Sequence, residues 1–300
     1  MPADCRVRPH RLASAFVERL TIILPTFDRR HVLERTLPCY LEMARRHRLL
    51  IIDDGSHDGS ASWLSAQGVE VVRQPRRRGL PAARNLGLRL AQTTWVLFGE
   101  DDVLMPADHP ELLLGEAERL AALAPIGALA GRLFAGENWR LPQARPGDGA
   151  RPLLDQRLLL GDFSTPLPCA RPLPTLHACA LVRRQAALEV GGYDLAYRGS
   201  AFREESDFYA RLWHQQLACW LTPATWAIHV RHRLGGGCRG NPGALAKLAN
   251  RASYWSNNAR YAERHARLWH GWGSDTTPAR CKARWAWTIA QQACSAWRSG

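Results

Sequence analysis

Three acidic residues in a row, Glu100-Asp101-Asp102, follow the apolar run Trp95–Phe98 and precede Met105-Pro106. Neighbouring side chains on an extended chain point to opposite sides. One carboxylate can thus hold a divalent cation while the next faces a hydroxyl. Hard cations such as Mg²⁺ bind through one or two carboxylates plus substrate phosphates; the alternative is a solvated acidic turn. Arg76-Arg77-Arg78-Gly79 leads into Leu80-Pro81-Ala82-Ala83-Arg84-Asn85. A helix N-terminus and arginine forks both hold phosphate, although a basic surface turn looks the same. Arg203-Glu204-Glu205-Ser206-Asp207 opens a helix. First-turn acids suit the helix dipole, and a carboxylate there can also act as general base toward an alcohol. His229 ends an apolar run; a lone histidine is more often structural than a ligand, and His232 competes with it. Asp53-Asp54-Gly55-Ser56-His57-Asp58-Gly59 resembles the start of a calcium loop but lacks the later glutamate. Ser56 or Asp58 can cap a helix there, which leaves Asp53 to meet a base or a ribose.

These groups need elements to position them. Leu20–Leu24, Leu49–Ile52, Val69–Val72 and Trp95–Phe98 are short apolar runs that read as strands. Between them, 31–46, 57–66 and 81–91 have helical spacing or helix-start residues. Strand alternating with helix is the pattern of an α/β domain with a mostly parallel sheet, and ligands in such sheets sit at the carboxyl ends of strands. Three of the four strands end in polar residues, at Thr26-Phe27-Asp28, Asp53-Asp54 and Glu100-Asp101-Asp102. Residues 136–174 are rich in Pro, Gly and Arg and read as a long excursion. Further strands are expected at 176–182, 217–221 and 225–229, with a helix at 203–215. Gly235-Gly236-Gly237 is a break, and helices follow at 242–265 and 278–297. The expected division is a basic leader at 1–19, a catalytic α/β domain at 20–234 and a helical segment at 235–300.

The 300 residues carry a formal charge of +13. From Arg231 onward there are twelve Lys/Arg but only two acids, Glu263 and Asp275, with six of the twelve tryptophans. Basic residues beside tryptophan suit an anionic membrane surface; a solvated helix pair with inward-facing tryptophans fits equally. A nucleic-acid partner is not expected, because the acidic strand ends would repel phosphate without a metal. The eight cysteines include no C-x-x-C pair, so a zinc site is not suggested. No run reaches the length of a membrane span. Buried free thiols and a cytoplasmic setting, peripheral to the inner membrane face, are the expectation.

In order and spacing, the segments from about Leu20 to Arg239 resemble family 2 glycosyltransferases. The similar parts are Ile22-Ile23-Leu24-Pro25-Thr26-Phe27-Asp28-Arg29, Ile51-Ile52-Asp53-Asp54-Gly55-Ser56, and Gly79 through Ala83-Arg84-Asn85-Leu86-Gly87. Later come Phe98-Gly99-Glu100-Asp101-Asp102, Gly191-Gly192-Tyr193-Asp194 with Arg203-Glu204-Glu205-Ser206-Asp207-Phe208, and His229 with Gly236-Gly237-Cys238-Arg239. The resemblance implies a GT-A, Rossmann-like, mostly parallel sheet flanked by helices, with a C-terminal helical extension. It implies sugar transfer with inversion from a nucleotide-diphosphate sugar to an acceptor hydroxyl, as in bacterial surface glycan synthesis; the basic, Trp-rich tail adds the expectation of a glycan or lipid-linked acceptor. Pro25, Thr26, Phe27, Asp53, Asp54, Arg84, Asn85, Glu100 and Asp101 would form the nucleotide-sugar side, with Thr26 and Asp53 on the base, Asp101 on the ribose and Arg84 on the nucleotide or phosphates. Asp102 and His229 would hold Mn²⁺ or Mg²⁺, and Glu205, or else Glu204, would be the base. Two positions depart from the family pattern: Glu100 stands for the first aspartate of D-x-D, and Glu205 for the usual catalytic aspartate.

Overall fold

The computed structural model describes residues 19–136, 152–199, 201–230 and 244–298. The leader up to residue 18, most of the Pro/Gly-rich stretch before 152, His232, the triple glycine, Cys238 and Arg239 lie outside the described residues.

β1 (Leu20–Thr26) is buried along its whole length. It pairs in parallel with β2 (Arg48–Asp53), which pairs in parallel with β3 (Glu70–Arg73). On its other side β1 pairs in parallel with β4 (Trp95–Phe98). Pro25 has no N–H to donate, and it sits beyond the last β1–β4 register pair, Ile23–Phe98, where the missing donor costs least. Helices α1 (Arg30–Ala44), α2 (Ser60–Ala66) and α3 (Leu80–Leu90) make the crossovers. Then come the two-residue β5 (Val103–Leu104) and α4 (His109–Leu120).

The second half adds β6 (Ile126–Gly136), a small hairpin of β7 (Leu154–Asp155) and β8 (Leu160–Gly161), and β9 (Arg171–Pro172). β10 (Leu181–Arg183), α5 (Arg184–Glu189), α6 (Glu204–His214) and β11 (Ala218–Val230) follow. The main sheet runs β3-β2-β1-β4-β10-β6-β11-β5, with β9 on β11. β10 is antiparallel to both β4 and β6, and β11 is parallel to β6. β6 and β11 therefore end at the same sheet edge as the four N-terminal strands. The two strands expected at 217–221 and 225–229 are halves of one, with a register shift between Leu221 and Trp226. Of the strand expected at 176–182, only Leu181 and Val182 are in β10; Leu176 and His177 are buried without a ladder.

α7 (Ala244–His270) and α8 (Pro278–Arg298) pack against α6 and the β7–β8 hairpin through a separate apolar cluster. Trp269 and Trp285 are buried in it, whereas Trp255 and Trp287 are exposed. No described helix is long and apolar enough to cross a membrane. Cys39, Cys179, Cys219 and Cys281 are buried, Cys169 is exposed, and these five are free thiols.

A buried polar node ties this helical layer to α6. Asp207 accepts from Arg211 Nε (2.8 Å), Arg264 Nη1 (2.8 Å), His265 Nε2 (2.9 Å) and the Tyr197 hydroxyl (3.3 Å). Burial alone would raise the Asp207 pKa. The His265 hydrogen bond and the charges of Arg211 and Arg264 outweigh it and hold the carboxyl well below the usual range. Asp207→Asn is expected to cost about 2–3 kcal/mol at neutral pH, since buried donors lose a charged acceptor. A folded-state pKa below the unfolded value of about 3.9 gives stability that is complete above that value and lost as pH falls toward the folded one. Thermal melts of wild type and variant should therefore converge in acid; a gap that stays constant down to about pH 2 would contradict the assignment.

Candidate active site

The ends of β1, β2 and β4 meet at one edge. Thr26 Oγ1 donates to Asp101 Oδ2 (2.8 Å), and the Asp54 N–H donates to the Thr26 carbonyl (2.9 Å). Asp53 is fully buried; its Oδ1 accepts from the Ser56 N–H (3.0 Å). Its Oδ2 has Arg73 Nε at 3.4 Å but no hydrogen bond, so a buried acceptor remains at the end of β2. The Phe27 ring lies under the Arg77 guanidinium at 4.4 Å. Asp54 is fully engaged within the fold: it accepts from Gln74 Nε2 (2.7 Å) and from the N–H groups of Arg78 and Gly79 (both 2.8 Å). It pins the basic loop before α3.

The acidic trio is held from α1. The Tyr40 hydroxyl donates to the Glu100 carbonyl (2.8 Å), and Thr36 Oγ1 donates to the Asp101 carbonyl (2.7 Å). Arg29 spans two of the carboxylates, with Nη2 at 2.5 Å from Asp102 Oδ2 and Nε at 3.3 Å from Asp101 Oδ1. Arg29 is the site residue that sequence reasoning passed over. Its only signal was a cation directly after the first strand's polar end. β5 brings in His229: it pairs with β11 at His229–Val103, and the Val230 N–H donates to the Asp102 carbonyl (2.8 Å). His229 Nε2 lies 3.4 Å from Asp102 Oδ2.

The titration directions follow from these contacts. Burial pushes Asp101 up to about 7 against the opposing Arg29 charge. Burial also raises Glu100, against Arg84. For Asp102 burial is outweighed by the His229 hydrogen bond and the charges of His229 and Arg29, and the carboxyl is lowered. The Asp102 hydrogen bond raises His229, against burial.

Arg84 is wholly buried, and its guanidinium is held by two carboxylates of the chain. Nη2 donates to Glu100 Oε1 at 2.9 Å, and Nη1 donates to Glu204 Oε1. Its guanidinium carbon lies 5.2 Å from the Tyr193 ring centroid. Asn85 is likewise turned inward. Its Oδ1 accepts from the Tyr193 N–H (2.7 Å) and its Nδ2 donates to the Tyr193 carbonyl (2.8 Å). Gly192, at φ +67°, makes room for this clamp, because a Cβ there would stand 2.4 Å from Asn85 Oδ1. Arg84 and Asn85 thus link motifs more than a hundred residues apart, through Glu204 and Tyr193.

Glu204 is buried on Arg84, whereas Glu205 is only partly buried. Burial raises the Glu205 pKa and nearby Glu100 adds to this, against Arg84 and Arg203. Arg203 precedes the pair at φ +79°, a left-handed conformation rare for arginine. Its Nε donates to Asn258 Oδ1 (2.9 Å), and its Nη atoms donate to the Leu158 and Leu159 carbonyls.

The donor set fits a divalent cation that is completed by its substrate. Asp102 and His229 converge, but among the described residues no group of three or more His, Cys, Asp or Glu could hold a metal alone. Diphosphate oxygens and water would have to supply the other positions, as Mg²⁺-type sites commonly require.

Comparison with known proteins agrees with this geometry. In solved structures the architecture recurs in a mannosyltransferase, PcManGT from Pyrobaculum calidifontis, in complex with GDP-Man and Mn²⁺. The TM-score is 0.56 and identity 18%, over 100% of this chain and 79% of that one. It recurs in GalNAc-T7 with UDP, GalNAc and Mn²⁺, at TM-score 0.56 and 16% identity, over 83% and 51%. At these identities the likeness establishes the GT-A-type fold. Two pre-mycofactocin glycosyltransferases from Mycobacterium tuberculosis strains are each 30% identical over 181 residues, which is 58% of this chain and 35% of theirs. The chain thus spans about a third of the length of those curated relatives. The model described as glycosyl transferase family 2 matches residues 21–191, more than half of the sequence. With the strand ends, the acidic trio and α6 all assembled at one sheet edge, the chain belongs to glycosyl transferase family 2.

Proposed function

We propose that the chain is an inverting, divalent-metal-assisted glycosyltransferase that takes a sugar from a nucleoside diphosphate and places it on an acceptor hydroxyl. The observation that carries this reading is the Asp102–His229 pair, at the same edge as the partly exposed Glu205. Asp53 Oδ2, which accepts no hydrogen bond, supports a nucleobase N–H at the end of β2. Thr26 is proposed to join Asp53 at the base, and Asp101, which accepts from the Thr26 hydroxyl, to face the ribose. The neighbours that hold GDP-Man and UDP with GalNAc support a sugar-nucleotide donor without choosing between the two nucleotides. The exposed Trp255 and Trp287 on the basic α7–α8 layer support a peripheral membrane contact, and with it a glycan or lipid-linked acceptor.

In the proposed reaction, the Glu205 carboxylate takes the proton of the acceptor hydroxyl. That oxygen forms its bond to the anomeric carbon as the bond from carbon to diphosphate oxygen breaks, and the electron pair leaves with the nucleoside diphosphate. Glu205 suits this role better than Glu204. Glu204 is buried in its ion pair with Arg84, and the raised pKa of Glu205 makes it the stronger base. Mn²⁺ or Mg²⁺ on Asp102 and His229 would supply charge stabilisation to the leaving diphosphate. Arg29 holds Asp101 and Asp102 in register for it.

The reading is tested by divalent-dependent release of nucleoside diphosphate from a panel of UDP- and GDP-sugars. Asp102→Asn should lower that release about 100-fold or more and flatten its dependence on added Mn²⁺. Wild-type rates in the variant would remove Asp102 from the reaction. Glu205→Gln should cost about 10²- to 10⁴-fold in turnover while nucleoside diphosphate still binds. Glu204→Gln should instead lower the melting temperature, because it leaves the buried Arg84 short of a charged partner. If Glu204→Gln lost turnover without loss of stability, the two roles would be exchanged. Since Glu205 acts deprotonated, the rate should fall as pH drops through its raised pKa, so the acid limb should lie above the ordinary glutamate value of about 4.3. An acid limb at or below that value would exclude Glu205 as the base.

A further inference from the structure

Around β1 and β2 the sheet edge mixes charges: Arg29 is paired with Asp101 and Asp102, Arg73 lies beside Asp53, and Arg77 lies over Phe27. On the far side of His229 lies a cavity of about 590 Å³ between the end of β6 and the β7–β8 hairpin. That volume is within the usual range for small-molecule sites. Phe134, Leu160 and Phe163 give it apolar walls, and its charged lining side chains among the described residues are Asp155, Asp162 and His229. Arg132 stands behind the wall, its guanidinium 4.6 Å from the Phe134 ring centroid and donating to the Ser164 carbonyl.

The cavity walls are held in place by local bonds. Asp162 Oδ1 accepts from the Ser164 N–H (3.1 Å) and hydroxyl (2.6 Å), and Asp155 Oδ1 accepts from the N–H groups of Arg157 (2.8 Å) and Leu158 (2.9 Å). One fixed oxygen in each carboxylate orients the other. The Leu133 N–H donates to the Phe163 carbonyl (3.0 Å), and the Phe163 ring meets the His177 ring edge-on at 5.4 Å. A Cβ on Gly161 would stand 2.5 Å from the Phe163 ring, so the glycine lets that ring lie close to the hairpin.

We propose that this cavity is the acceptor subsite, and that it selects an uncharged, hydroxyl-bearing ring over an anionic one. The proposal rests on the transferase reading above. Rigid aromatic and aliphatic walls suit the C–H face of a sugar-like ring, and carboxylates accept hydrogen bonds from its hydroxyls. A carboxylate or phosphate on the ligand would meet Asp155 and Asp162 as like charges. His229 lines the cavity and also touches Asp102, so a molecule held here lies beside the proposed centre of reaction.

Saturation-transfer NMR on the full chain with Mn²⁺ and saturating UDP or GDP tests this, using phenyl glucoside as the neutral probe and phenyl glucuronide as its anionic counterpart. The glucoside should bind, and Phe163→Ala should weaken it about tenfold. The glucuronide should bind at least about tenfold more weakly than the glucoside to wild type and gain affinity in the Asp155→Asn/Asp162→Asn double variant. Equal binding of both probes, absence of binding by either, or insensitivity of the glucoside to Phe163→Ala would each overturn the proposal. Titration of UDP and GDP on every protein separates the two readings. If nucleotide binding fails in wild type, the donor reading fails. If it holds in all variants while the glycoside results fail, only the acceptor subsite is lost.

Discussion

A single buried guanidinium joins the pieces of this site. Arg84 has no exposed surface, yet it carries a full charge, and a buried cation is costly unless paired and hydrogen-bonded. Its partners come from opposite ends of the sequence: Glu100 just after β4, and Glu204 at the start of α6. The pairing fixes α6 to the sheet edge, because separating them would leave the arginine and Glu204 buried and unmatched. α3 carries this residue, and its own entry is held by Asp54, which accepts from two backbone N–H groups of the basic loop. The next residue, Asn85, grips the backbone at Tyr193. One turn of α3 therefore positions the acidic trio, the Gly191-Gly192-Tyr193 segment and α6 together.

A second buried arginine holds α6 from the opposite side. Arg203 takes up a left-handed backbone whose cost is about 1–2 kcal/mol for a non-glycine residue. The compensation lies in its side chain, which is hydrogen-bonded to Asn258 and two carbonyls and sits among the rings of Tyr261, Trp285 and Phe202. Three of these partners, Asn258, Tyr261 and Trp285, belong to α7 and α8. The helical layer is thus part of what sets the first turn of α6. Both arginines work against the rise that burial imposes on the Glu205 pKa.

What could be read from the sequence was whatever leaves a local trace. β1, β2 and β4 are continuous apolar runs that end in polar residues, and those ends do meet at one edge. Asp102 and His229, more than a hundred residues apart, were placed together by family resemblance, and the β5–β11 ladder joins them. What left no trace was the choice of long-range partner. An arginine or carboxylate at a loop shows its charge in a linear reading but not its partners within the chain, which for Arg84, Asn85 and Asp54 are Glu100 and Glu204, the Tyr193 backbone, and Gln74 with the loop before α3. β6 also escaped. Its Gly127, Ala128, Ala130 and Gly131 give neither strand propensity nor alternation. Those small residues answer a tertiary demand: a Cβ on Gly131 would stand 2.7 Å from the Thr225 carbonyl oxygen of β11. The break inside β11, taken for a gap between two strands, is the other side of that contact.

The charges along the edge bear on how displacement with inversion could run here. Such a reaction needs two anions, the base that receives a proton and the diphosphate that departs, on opposite sides of one carbon. Like charges that close would raise the barrier unless the protein separated or screened them. The basic loop and Arg29 lie by β1 and β2, and the carboxylates of Asp155 and Asp162 lie beyond His229. On the proposed reading, negative charge develops toward Arg29, Arg77 and the cation proposed on Asp102 and His229, and away from Asp155 and Asp162. Arg84 and Arg203 oppose the rise that burial imposes on the Glu205 pKa, and both are buried. The arginines that hold α6 in place thereby also temper the pKa of the base proposed on it.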